Sequence, residues 1–219
     1  MTTDTYRTQG LRKQMVKDLL TQGIQQEAVL KAMSEVPRHL FISKALIEHA
    51  YKDIPLPIDC QQTISQPYTV AAQTQLLEVS KNQRILEIGT GSGYQAAVLK
   101  KMGAAVYTIE RHLSLYQAAK KRFEELKLAI ASKYGDGYKG WAEFAPFNAI
   151  LITCAVEEVP QNLLSQLAVG GVMVLPLGEP DKDQIMTKII KISDNEFTTQ
   201  SHGNYRFVPM LKATDTTKK

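Results

Sequence analysis

The run Leu86-Glu87-Ile88-Gly89-Thr90-Gly91-Ser92-Gly93-Tyr94 constrains this chain more than any other segment. A short apolar strand passes directly into three alternating glycines and then into a helical pattern. A merely tight turn between strand and helix needs one glycine. Three at alternate positions let the backbone take positive φ repeatedly and approach a ligand with no Cβ in between. Such a unit belongs to a parallel sheet that binds its ligand at the carboxyl edge. A dinucleotide G-x-G-x-x-G begun at Gly89 would need glycine at position 94, which is Tyr94, and no G-x-x-x-x-G-K-[ST] run occurs. Pyrophosphate is therefore disfavoured.

The rest of the chain supplies the sheet. Strands are predicted over 84–88, 105–109, 129–134, 147–152 and 172–176, and helices over 68–79, 94–101, 113–126 and 160–167. Repeated βα order predicts an α/β fold, a Rossmann-like, doubly wound and mostly parallel sheet. Residues 184–192 and 197–207, with Asp194-Asn195 between them, read as a C-terminal antiparallel hairpin. Ahead of the sheet, Leu11, Met15 and Leu19 and then Ala28, Val29, Ala32 and Met33 mark two helices of an N-terminal helical segment. Pro37 ends the second, and 41–50 reads as a third. Residues 52–67, with Pro55, Pro57 and Pro67, form a long loop, and long loops are often functional.

With 219 residues, 44% hydrophobic and 22% charged, the chain is expected to be one domain. N-terminal helices and an active-site loop occupy 1–67, the sheet core 68–211 and a tail 212–219, of which 214–219 is expected to be frayed. The net charge of +4 is scattered, so no nucleic-acid stripe is expected. Neither a signal-like apolar segment nor a membrane span is read, and Cys60 and Cys154 are spaced for neither zinc nor a redox pair. The expectation is a cytoplasmic monomer without membrane or metal.

Glu110 ends the second sheet strand, 21 residues after Gly89, where a carboxylate suits both hydroxyls of a ribose; a salt bridge to Arg111 or Lys121 is the competing reading. Asp136 in Gly135-Asp136-Gly137 suits an adenine amino group or, equally, an ordinary Asp-Gly turn. An acidic residue followed by G-x-G-x-G resembles the first motif of class I methyltransferases that use S-adenosylmethionine.

Further segments resemble the protein-L-isoaspartate O-methyltransferase family over nearly the whole chain. They are Val36-Pro37-Arg38-His39-Leu40-Phe41, Ala50-Tyr51 with Pro55-Leu56-Pro57-Ile58, and, most specifically, Gln62-Thr63-Ile64-Ser65-Gln66-Pro67. Gly140-Trp141, Pro146-Phe147, Gly170-Gly171 and Phe207-Val208-Pro209 add to the match. The resemblance implies methyl transfer from S-adenosylmethionine to isoaspartyl residues of damaged proteins. It implies Ser65 as the catalytic residue and, with Thr63 and Val208, as a substrate contact. Ile64, Gln66, Glu87, Gly89, Gly91, Gly93, Glu110, Asp136 and Gly137 are implied as cofactor contacts. Asn148 and Cys154 depart from the family pattern.

A carboxylate nucleophile, with a pKa of about 3.5 to 4, is ionised at neutral pH and needs no general base. None is evident: His39, His49, His112 and His202 are scattered and read as structural. Ser65 has no activating partner in the sequence and reads as an orienting donor or as a helix N-cap. A nucleic-acid N-methyltransferase would carry Asn/Asp-Pro-Pro-Tyr/Phe where this chain has Thr153-Cys154-Ala155. Cys154 lacks the preceding proline of a cytosine-methylating nucleophile. A non-catalytic module that kept the cofactor pocket is the remaining rival.

Overall fold

Helix α1 (Tyr6–Thr21) begins where the Thr5 hydroxyl accepts the Thr8 amide, and it buries Met15 and Leu19. Helix α2 (Glu27–Glu35) buries Val29, Ala32 and Met33, the periodic set read from the sequence. The computed structural model describes residues 4–215. In place of a third helix over 41–50 there are two 3-10 turns, Arg38–Phe41 and Lys44–His49, separated by extended backbone at Ile42 and Ser43. A bond of 2.8 Å from Arg38 Nε to the Ala50 carbonyl closes them on each other.

The loop at 52–67 holds a small antiparallel pair, β1 (Leu56–Pro57) with β2 (Thr63–Ile64), whose bend passes through left-handed Cys60 and Gln61. Helix α3 (Pro67–Leu76) starts on a proline, whose fixed φ suits a first helical position, and stops three residues before the expected end. Left-handed Glu78 lies just beyond it.

Seven strands then form one sheet: β3 (Arg84–Ile88), β4 (Ala105–Glu110), β5 (Ala131–Tyr134), β6 (Phe147–Ile152), β7 (Leu167–Leu177), β8 (Gln184–Lys191) and β9 (Phe197–Tyr205). Their order is β5-β4-β3-β6-β7-β8-β9, with β3 to β7 parallel and the last two pairings antiparallel. Helices α4 (Tyr94–Lys101), α5 (Leu113–Glu125) and α6 (Gln161–Ser165) complete the βα units. Strand β7 starts at Leu167, which pairs with Phe147, so the expected helix there is shorter and the strand longer.

Alternate residues of the parallel strands bury opposite faces: Ile85, Ala149 and Leu151 pack on one side, Leu86, Ile88 and Ile152 on the other. Because β3 sits between β4 and β6, chain direction diverges at its carboxyl end and leaves a crevice there. Helices α1 and α2 pack on α3 and α4, so the loop and not the helices reaches that edge: residues 62–65 line it, Ile58 faces Gly91, and Cys60 Sγ lies 3.1 Å from Ser114 Oγ. The tail is not frayed at its start. Asp215 N donates to Arg111 O and Asp215 O accepts from Leu113 N. Residues 216–219 of the expected tail lie outside the described residues.

Glu87 is fully buried within β3, and Thr108 Oγ1 donates to its Oε2. Burial pushes its carboxyl up to about 8; the Thr108 bond opposes this, the Glu110 charge adds to it, and the Ala96 amide opposes it weakly. Folded Glu87 thus keeps a proton that the unfolded chain releases near the ordinary carboxyl pKa. Its contribution to stability falls as pH rises through the window up to about 8, by about 1.4 kcal/mol per pH unit. Glu87→Gln should therefore raise Tm relative to wild type more at pH 8.5 than at pH 5. A Tm difference that does not change with pH would contradict a protonated Glu87.

Candidate active site

The carboxyl ends of the parallel strands open onto one cleft. After β3 the chain turns through Gly89, Gly91 and Gly93 at φ of 95°, 52° and 84°. Gly89 N donates to Ile109 O at 2.9 Å, tying the turn to β4. At the end of β4 the Glu110 carboxylate accepts Gly91 N on Oε2 (2.8 Å) and His112 N on Oε1 (2.9 Å). After β6, Thr153 Oγ1 bonds to both Ile88 O and Gly89 O at 2.9 and 2.8 Å, fixing the turn from the other side. The segment past β9 pairs with Ala155 through Val208 O and Met210 N, both at 2.8 Å, and forms a further wall.

Of the residues singled out by sequence, Thr63, Ile64, Ser65, Gly89, Gly91, Glu110, Gly137 and Val208 line this cleft together. Four others stand behind it. Gly93 makes room for Phe123, whose ring a Cβ would meet at 2.6 Å. Glu87 lies inside the sheet. Asp136 Oδ1 accepts Tyr138 N and Oδ2 accepts Ala213 N, so it forms the Asp-Gly turn and ties the C-terminal segment to it, each oxygen keeping a further acceptor position. Gln66 is the N-cap residue of α3 and reaches Asp53. Asp53 Oδ1 accepts Tyr68 N at 2.8 Å, taking the capping role the sequence offered to Ser65.

Thr153, Gln73 and Gln95, to which the sequence assigns no site role, line the cleft, as does His112, expected to be structural. His112 had a usable signal, two residues after Glu110; it pairs with Asp215 at 3.1 Å. His39 donates to or accepts from Tyr51 OH at 2.7 Å, away from the cleft. Asn148 accepts Arg84 N at the opposite end of the sheet, so that departure does not touch the cleft. Cys154 does line it, but burial, with the nearby Glu110 charge, pushes its thiol well up and makes it a poor nucleophile.

The arrangement fits the ribose of a nucleoside. Each Glu110 oxygen spends one acceptor position on an amide and keeps another, the capacity that a vicinal diol requires. Gly137 lines the cleft, and its missing Cβ is a packing requirement: it would lie 2.4 Å from Ile88 Cγ2 and 3.0 Å from Met210 Cε.

A family model described as protein-L-isoaspartate(D-aspartate) O-methyltransferase matches residues 10–215. The chain belongs to that family. A protein-L-isoaspartate O-methyltransferase of Cytophaga hutchinsonii is 48% identical over 95% of this chain and 94% of its own length. A solved structure of a protein-L-isoaspartate O-methyltransferase superposes with a TM-score of 0.83 at 30% identity, over 90% of this chain and 65% of that longer one. A Plasmodium falciparum structure described as a β-aspartate methyltransferase, in complex with S-adenosyl-L-homocysteine, is 25% identical with a TM-score of 0.80, over 92% of this chain and 98% of its own. Family membership makes the chain an O-methyltransferase and removes the non-catalytic rival.

Glu110→Ala should weaken S-adenosylhomocysteine binding by about 10- to 150-fold, the range for one lost hydrogen bond to a charged group. Calorimetric titration with unchanged affinity would remove Glu110 from the site.

Proposed function

We propose that this chain transfers the methyl group of S-adenosylmethionine to the free α-carboxylate of L-isoaspartyl residues in damaged polypeptides. The observation that carries the reading is the meeting of Ser65, on the short loop, with the glycine turn and Glu110 in one cleft. Glu110, Gly89, Gly91, Gly137 and Ile64 hold the cofactor, while Thr63, Ser65 and Val208 hold the peptide. Gln66, Glu87, Gly93 and Asp136 shape these contacts from behind. When bound, S-adenosylmethionine supplies a methyl carbon made electrophilic by its sulfonium sulfur.

The protein's task is then alignment. The substrate carboxylate arrives ionised, so Ser65 need only donate to one oxygen and aim the other. Holding reactants in line lowers the barrier by up to about 7–11 kcal/mol in favourable cases. The methyl ester is a better leaving site than a carboxylate. The following peptide nitrogen attacks the ester carbonyl, methanol leaves, and hydrolysis of the resulting succinimide returns a share of normal aspartyl linkage. The reading places the enzyme in the cytoplasm as a monomer, acting on proteins and peptides and not on nucleic acid or membrane. Free Cys60 and Cys154 support a reducing compartment. Among the described residues no helix is long and apolar enough to cross a membrane.

An isoaspartyl residue carries its free carboxylate directly on the α-carbon, whereas aspartate carries it one methylene farther out. A cleft that fixes both the flanking backbone and the carboxylate rejects the second, since a misplacement of about 1 Å costs about 100-fold. Methyl transfer to paired peptides that differ only in this linkage should favour the isoaspartyl form by at least about 100-fold in kcat/KM. Equal rates would refute the substrate assignment.

A further inference from the structure

We propose that Arg38 is a positioning residue for methyl transfer, holding the Ser65 backbone against the cofactor turn, with Asp53 holding the same loop from its other side. The guanidinium is completely buried. Its Nη2 donates to Ser65 O at 2.7 Å and its Nε to Ala50 O at 2.8 Å. Its central carbon stands 4.8 Å from the centre of the Tyr94 ring, and Tyr94 is the first residue of α4, directly after the glycine turn. One cation thereby joins three segments: the chain before the loop, the loop at Ser65, and the helix that carries the cofactor turn. Burial lowers its pKa to about 10, so it stays charged at neutral pH.

Asp53 completes the hold. Its Oδ1 accepts Tyr68 N at 2.8 Å and its Oδ2 accepts from Gln66 Nε2 at 3.4 Å, so Gln66 and Tyr68, one and three residues after Ser65, are held by a carboxylate as Ser65 itself is held by a guanidinium. A residue needed only for stability would be served as well by an apolar side chain, because burying a guanidinium carries a large desolvation cost. Lysine could not substitute, since one ammonium cannot serve two carbonyls in a fixed fork while stacking on a ring.

This inference rests on Ser65 as the group that orients the substrate carboxylate, so its test includes Ser65→Ala. Wild type, Arg38→Lys, Asp53→Ala, Ser65→Ala and the two double variants that combine Ser65→Ala with each of the others are compared for kcat and KM on an isoaspartyl peptide. Their affinity for S-adenosylhomocysteine is measured by calorimetry. Arg38→Lys should lower kcat by about 10- to 100-fold while that affinity stays within about threefold; in the Ser65→Ala background the same change should cost less than about threefold, because the two act as a unit. An equal loss in both backgrounds, or an unchanged kcat, overturns the proposal. If Ser65→Ala alone keeps wild-type kcat/KM, the reading of Ser65 fails and takes this inference with it. If Ser65→Ala is impaired and Arg38→Lys is not, only the inference fails. Should Arg38→Lys not fold, exposed Asp53→Ala decides: about a 3- to 10-fold loss of kcat that vanishes in the Ser65→Ala background supports the proposal, and wild-type kcat overturns it.

Discussion

The site depends on one carboxylate that is itself held by backbone. Glu110 binds an amide of the glycine turn on one oxygen and an amide at the start of α5 on the other. The first bond locks the end of β4 to the turn after β3, and the second fixes the start of α5 against the end of β4. Thr153 performs the same service from β6 with a hydroxyl that meets two consecutive carbonyls. A turn pinned from both neighbouring strands is preorganised, and little conformational entropy remains to be lost when a ligand arrives.

The three glycines that first suggested a ligand turn do unlike jobs. Gly89 has no Cβ because the Thr153 hydroxyl would stand 2.5 Å from it, and Gly93 has none because Phe123 packs there. Gly91 gives its amide to Glu110 and faces the cleft. Much of the motif is thus a packing requirement that lets the turn sit low between α5 and β6.

The sheet was legible because its strands are apolar runs punctuated by glycine, and strands at 84–88 and 147–152 and the helix at 94–101 match residue for residue. Less was legible where long-range bonds decide conformation. Nothing local distinguishes a helix over 41–50 from two 3-10 turns closed by Arg38 on Ala50. Asp136 lies at the expected edge, and its oxygens also hold the Tyr138 and Ala213 amides, partners 2 and 77 residues away that no local pattern announces. In the same way Asp53, unremarked in a proline-rich stretch, took the cap offered to Ser65. Position along the chain identified which residues come to the carboxyl edge; it did not say whether each faces the cleft or supports it.

The account's central claim is that one edge of one sheet holds cofactor and peptide side by side. Hydrogen–deuterium exchange tests this most directly. S-adenosylhomocysteine alone should slow exchange at residues 89–94 and 110–113. Adding an isoaspartyl peptide should extend the protection to 63–66 and 207–211, and its aspartyl twin at the same concentration should not. Protection confined to other surfaces, or a loop at 63–66 indifferent to the isoaspartyl peptide, would contradict the account.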